Sequence, residues 1–455
     1  MTEFEPSITP TYESPTEQLP ARSRVVSPTA ARRFTRQVPV AIVARVRSGQ
    51  LAPLRRLLEQ IGEDAAGNAE LPLGRLRTAH FARLVVLEAT RDLNGQPIPP
   101  QLLYMSDVDE PLSDHLDDLL RLAPGLDHVF GCCEGYPPRA EATPAARLEW
   151  LESHMIQTQA FYVNTTGRTV SQIQQEALLR DEIERFVDRA ELDDRGPLGV
   201  RAAIQEHIDS LPRFAWARTP ASGPGLLDIA RDVAAVALPL AGAVAAAPLI
   251  APLLPVYAVL LRWQELHDVV ETTRPAAAHD LLLGELEDRG PQNQFSAIGF
   301  VKPGLLRRVT IEVAIRGLDT AARHIFNRGT LAGIKTIHFA HWTKLDSGRR
   351  LIFASNYDGT VKSYNDDFID RVWWGLNLVF SNGVGWPRTF LLIWGGAQDE
   401  QAFKNYLRCH QIPTQVWYSA YPGLTAVNIS NNAKIRAGLF GPMNAVEVEK
   451  WLRLI

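Results

Sequence analysis

Between Ile337 and Gly359 the chain reads IHFAHWTKLDSGRRLIFASNYDG, which gathers the side chains best suited to chemistry. His338 and His341 carry imidazoles that titrate near neutrality and can relay protons or ligate a metal. Asp358 stands before Gly359 at the end of a strand-like run, where a carboxylate can act as a proton shuttle. The same Asp-Gly pair is also an ordinary turn signal. His324 lies upstream, His410 downstream, and Arg349, Arg350 and Arg388 are the nearest cations in sequence. Asp117-Asp118 and Asp366-Asp367 fall at the starts of expected helices, where the helix dipole favours carboxylates without any metal. Other familiar signals are missing: there is no phosphate-binding glycine loop, no Gly-x-Ser-x-Gly elbow and no His-Glu-x-x-His. Cys132, Cys133 and Cys409 form neither a disulfide framework nor a zinc spacing.

The elements that must position these groups follow from patterning. VPVAIVARV from Val38 suits a buried strand, and Leu51, Leu54, Leu57, Leu58 and Ile61 recur at helical spacing. Two strands carrying His80 and Tyr104 come next, and a helix follows Pro111. From Gln294 the same order returns: a strand, a long helix, the hairpin strands of the opening stretch, and a helix. Strand, helix, strand, strand, helix is the core of a ferredoxin-like unit. Along IHFAHW, alternation puts His338, Ala340 and Trp342 on one face and Phe339 and His341 on the other, so one of the two histidines faces between the halves.

Residue matches point to an internal duplication. His80-Phe81-Ala82 matches His338-Phe339-Ala340, and residues 151–180 align with 407–436 without gaps, eleven of thirty positions being identical. Chance gives about two at ordinary residue usage. Groups kept in both halves, such as His80/His338, His154/His410, Tyr162/Tyr418 and Thr158/Thr414, serve the shared fold; a single active site draws on groups found in one half, such as His341, His324 and Asp358-Gly359.

The expected fold class is α+β: two tandem ferredoxin-like halves forming an intrachain α+β barrel, with an inserted apolar helical hairpin. Residues 1–36 read as a polar, proline-bearing disordered tail, 37–190 as the first half, 191–290 as a helical linker and 291–455 as the second half. Within the linker, Val233 to Leu261 holds no charged residue, more than the roughly twenty residues that cross a bilayer. It reads either as a buried core hairpin or as a membrane segment, and a Pro-broken dip into one leaflet keeps both halves on one side. The chain has 455 residues, 46% hydrophobic and 22% charged, with a net charge of -4 and no long basic run, so no nucleic-acid footprint is expected.

Two ferredoxin-like halves in one chain, with Ser355-Asn356-Tyr357-Asp358-Gly359 at the end of the hairpin, resemble the dye-decolourising haem peroxidases and their Gly-x-x-Asp-Gly motif. Serine stands here where that family has its first glycine, and the motif lies in the second half instead of the first. The resemblance implies haem as cofactor, Asp358 as the distal acid with Arg349 or Arg388 as its helper, and a proximal histidine among His341, His338, His324 and His410. The function so implied is a membrane-associated peroxidase-like oxidoreductase acting on a small lipophilic substrate, on the cytoplasmic side of a membrane as a peripheral or monotopic protein. The alternative is a non-catalytic lipid- or partner-binding protein that keeps the barrel without a cofactor.

Overall fold

The computed structural model describes residues 34–455 apart from Asp193, Thr272 and Arg328. The tail expected over residues 1–36 lies outside the described residues, save its last three. The chain is α+β. Apolar and β-branched runs form β1 (Gln37–Arg45), β2 (Ala79–Leu87) and β3 (Gln101–Asp109), with helices α1 (Leu51–Glu63) and α2 (Leu112–Arg121) between and after them. Helix α3 (Pro144–Ser153) leads into β4 (Thr158–Val163) and α4 (Val170–Arg189). The apolar run forms α5 (Leu226–Ile250) and α6 (Leu254–His267). Then come β5 (Gln292–Phe300), α7 (Leu305–His324), β6 (Ile337–Leu345), β7 (Arg350–Asp358), α8 (Val361–Phe380), α9 (Glu400–His410), β8 (Val416–Ser419) and α10 (Ala426–Ala437).

The strands make two four-stranded antiparallel sheets, ordered β1-β3-β2-β8 and β4-β6-β7-β5, and neither closes on itself. Each sheet takes one edge strand from the other half of the chain. β8, late in sequence, pairs with β2, and β4, early in sequence, pairs with β6. The crossing segments first touch the sheet they leave: Ile156 N donates to Ala41 O, and Ile412 N to Ser296 O, both at 2.9 Å. The two halves are thereby interlocked.

The repeated residues explain how the exchange is held. His154 and His410 end α3 and α9, their Nδ1 atoms bonded to the carbonyls of Trp150 (2.8 Å) and Tyr406 (2.9 Å), with each imidazole stacked on that aromatic ring. Gln159 and Gln415 use side-chain oxygens to accept from Lys344 N (2.5 Å) and Val86 N (2.7 Å), backbone donors that the entering strands leave unpaired. Thr169 and Thr425 cap α4 and α10, each in a reciprocal capping box.

Outer sheet faces pack on helices. Leu84 and Tyr104 meet Leu54 and Leu58 of α1, while Trp342 and Phe353 meet Ile311 of α7 and Phe368 of α8. The inner faces oppose each other: Ala41, Val85, Leu103 and Met105 from one sheet interleave with Leu345, Ile352 and Ala354 from the other. At the far end of this layer Phe81, Phe161, Phe339 and Tyr421 form an aromatic cluster.

The apolar segment is not a hairpin. It continues as one helical run, Leu226–His267, through a three-residue 3-10 turn at Ala251–Leu253 whose flanking residues stay in the right-handed helical region. The prolines permit this: Pro252 and Pro255 fall in the first positions of the turn and of α6, where no backbone donor is needed, and only Pro239 and Pro248 interrupt α5. Nor is it a buried core element. From Ala237 to Val256 every residue is exposed except Ala246, which is half-buried.

Candidate functional site

The expected alternation along β6 fails at His338. A β-bulge between Ile337 and Phe339 turns this histidine toward the same inter-sheet layer as His341. A matching irregularity between Ala79 and Phe81 does the same for His80 in β2. His338 therefore reaches Phe81, 5.3 Å between ring centres, and His80 reaches Phe339 at 5.1 Å. Both histidines of the opening stretch and their echo in the first half converge on one end of the layer.

Each is held by a carboxylate. His338 Nε2 lies 2.7 Å from Asp358 Oδ1, and the other oxygen of Asp358 accepts from Ala426 N, the first residue of α10, at 2.8 Å. His80 Nε2 lies 2.9 Å from Asp109 Oδ1, and Asp109 Oδ2 accepts from Val170 N, the first residue of α4, at 2.9 Å. Asp109 thus stands in the first half where Asp358 stands in the second. A carboxylate at a helix N-terminus satisfies an orphan donor and meets the positive end of the dipole. Tyr421 joins the cluster through its hydroxyl, 2.8 Å from His80 Nδ1; burial first, then the charges of Asp107 and Asp109, hold that phenol well above its ordinary range.

A third pair spans the sheets. His341 Nε2 lies 2.5 Å from Asp107 Oδ1, and Asn356 Nδ2 donates to Asp107 Oδ2 at 2.8 Å. Arg83, on the inner face of β2, crosses to the other sheet and donates to Phe295 O, Ser296 Oγ, Ser355 O and Asn356 Oδ1 at 2.5–2.9 Å. Burial lowers this guanidinium to about 10, with Asp107 opposing the shift. Arg83 and Asp107 are not among the candidates drawn from the sequence, and Asn356 enters there only within the Ser355–Gly359 motif. The signal for Arg83 and Asp107 is a charge inside an otherwise apolar strand, where unpaired charges are almost never buried.

The remaining expected residues are scattered. Arg349 is bonded to Asp92 and sits at the opposite end of β7 from Asp358, about 30 Å away at strand rise. Arg388 is exposed, and His324 pairs with Asp232 of α5 at 3.0 Å. His410, on α9, presses on Gly299, where an added Cβ would lie 3.2 Å from its Cδ2.

These residues do not fit a haem. The inner faces that would flank the macrocycle interleave as a packed apolar layer, and His338 spends its Nε2 on Asp358. His341 alone keeps a buried, unpartnered nitrogen, Nδ1, but the Phe161 ring stands edge-on to it with centres 5.0 Å apart. Among the described residues no group of three or more His, Cys, Asp or Glu could hold a metal ion. The arrangement joins the sheets through buried charge and anchors the first turns of α4 and α10.

A separate cleft of about 500 Å³ opens at the other end of the layer, its lining mixed: apolar from Val43, Ile156 and Ile311, polar and charged from Gln159, Arg308 and Asp346. Compared with known proteins, the chain matches no family model, no curated protein and no solved structure.

Proposed function

We propose that this chain is a non-catalytic membrane-surface protein, its body two ferredoxin-like halves opposed as an α+β barrel and its helical arm laid in one leaflet of a bilayer. The observation that carries this reading is the arm: twenty consecutive residues, Ala237–Val256, uncharged and exposed on every side but Ala246. A helix apolar all round has no polar face to leave in water, so lipid suits it better than a groove on a soluble partner. The interlock argues for lying in the plane over crossing once. β4 precedes the arm and pairs with β6 after it, so both ends of the arm belong on one side, and two crossings need about forty residues. Leu238, Leu240, Val244, Leu249, Ile250, Leu253, Leu254 and Val256 are 48–79% exposed. At about 1.5–3 kcal/mol for full burial of each, their transfer to lipid is worth on the order of 10 kcal/mol.

Flotation of the full chain with phosphatidylcholine vesicles tests the reading. Wild type floats with lipid, and Leu240→Asp with Leu249→Asp, two exposed changes that leave the body untouched, lowers partitioning at least about 100-fold, given roughly 2–3 kcal/mol for each charge placed in hydrocarbon. A wild type that stays with the aqueous fraction, or a double variant that floats as well as wild type, refutes it.

A further inference from the structure

At the C-terminal root of the arm lies a buried cluster with more positive charge than it pairs. Asp268, which ends α6, gives one oxygen, Oδ2, to both Lys302 Nζ at 2.7 Å and Arg307 Nη2 at 2.5 Å. Lys302 also donates to Ser381 O at 2.8 Å. The side chains of Lys302 and Arg307 are 9% and 1% exposed, while that of Asp268 is 20% exposed. The neighbouring Glu265 does not balance them: it is consumed by Arg262, Thr389 Oγ1 and the amides of Leu391 and Leu392. Three cations therefore face two carboxylates. Burial holds the Lys302 ammonium below its usual value; the Asp268 hydrogen bond opposes this and the Arg307 charge adds to it.

The donors outnumber their acceptors as well. Arg307 Nε and Nη1 and Ser381 Oγ are buried without partners, as is the acceptor Asn382 Oδ1. Arg307 sits in the first turn of α7, a twenty-residue helix whose N-cap, Gly304, has φ 100° and supplies no side-chain cap. Beside Gly304 there is open space, with no atom within 4 Å of an added Cβ. Unpaired buried donors and an uncompensated buried charge are each costly, and a guanidinium fork carried on the first turn of an uncapped helix is complementary to a tetrahedral oxyanion.

We infer that Lys302, Arg307, Ser381 and the uncapped start of α7 form a binding site for a phosphate group, with the partly exposed carboxylate of Asp268 as its built-in plug. The anion displaces Asp268 to solvent and takes the fork of Arg307. The site itself stands apart from the membrane reading, and only the source of the phosphate rests on it: a lipid phosphate if the arm lies in a leaflet, free phosphate if it does not.

Calorimetric titration of the full chain with inorganic phosphate at low ionic strength tests the site. Asp268→Asn removes the plug and tightens binding about tenfold or more, and adding Arg307→Gln to it abolishes saturation. Arg307→Lys, which keeps the charge and loses the fork, weakens binding and guards against misreading a folding defect. If Asp268→Asn shows no saturable binding, or if Arg307→Gln and Arg307→Lys leave that binding unchanged, the inference is wrong. Phosphatidylcholine vesicles with and without about one fifth phosphatidic acid decide the source. A preference for the acidic vesicles that Arg307→Gln removes assigns a lipid phosphate; equal flotation with phosphate binding intact assigns a free one. Loss of all flotation with phosphate binding intact removes the membrane reading and leaves the site.

Discussion

Asp358 is the residue on which a catalytic and a mechanical reading diverge most, and its removal has a magnitude that follows from its contacts. Asp358→Ala leaves the Ala426 amide and His338 Nε2 buried without their acceptor. Each unsatisfied buried group costs about 1–3 kcal/mol, and losing a carboxylate at the α10 N-terminus costs about 0.5–1 kcal/mol more. The expected local loss is about 2.5–7 kcal/mol, or about two to five decades in an opening equilibrium. Native-state hydrogen exchange reads this directly, because opening free energies are resolved segment by segment. Amides of α10 from Ile429 onward exchange faster by that factor, while α4, anchored separately by Asp109 on Val170, serves as the internal control. Asp358→Asn retains one acceptor and loses about half as much. A change in α10 under about 1 kcal/mol, or an equal change in α4, refutes the clamp.

Two further outcomes are expected. His115 of α2 is buried with its Nε2 3.0 Å from Tyr104 Oη, and burial lowers its pKa from 6.5 to about 4, with Asp118 opposing. The unfolded chain therefore binds more protons between about pH 6.5 and 4, so stability is full above this window and falls through it by on the order of 3 kcal/mol; pH-dependent denaturation shows a flatter profile for His115→Gln. For the cofactor, full-length protein mixed with haemin develops no Soret band beyond free haemin, because the inter-sheet layer is packed. A band that His341→Ala abolishes would overturn that packing argument and restore the peroxidase reading.

Much of the architecture was legible because it is local. Periodicity placed the strands and helices of both halves, and the identities between 151–180 and 407–436 marked the segments that anchor the exchange: a stacked histidine at a helix end, a glutamine filling a strand gap, a threonine cap. His80 and His338 make parallel contacts, each with a carboxylate that also accepts from the first amide of a helix, α4 or α10. The carboxylate of Asp358-Gly359 is therefore not peculiar to the second half, since Asp109 makes the corresponding contacts on α4.

What the sequence by itself determined, then, is the kind and order of the strand-helix-strand-strand-helix core of each half and that one stretch of twenty-nine residues, Val233–Leu261, carries no charge. Dihedral preference and apolar period are written residue by residue, so they can be read that way. Tertiary structure alone decided which sheet β4 and β8 join, because alternation along a strand says which face is buried and nothing about its neighbour. It also decided that a bulge turns His338 inward, that Arg83 and Asp107 find partners across the layer, and that Pro252 and Pro255 of the arm sit in first-turn positions where a helix tolerates them. Those outcomes depend on groups hundreds of residues apart meeting at hydrogen-bond distance, which no local pattern encodes.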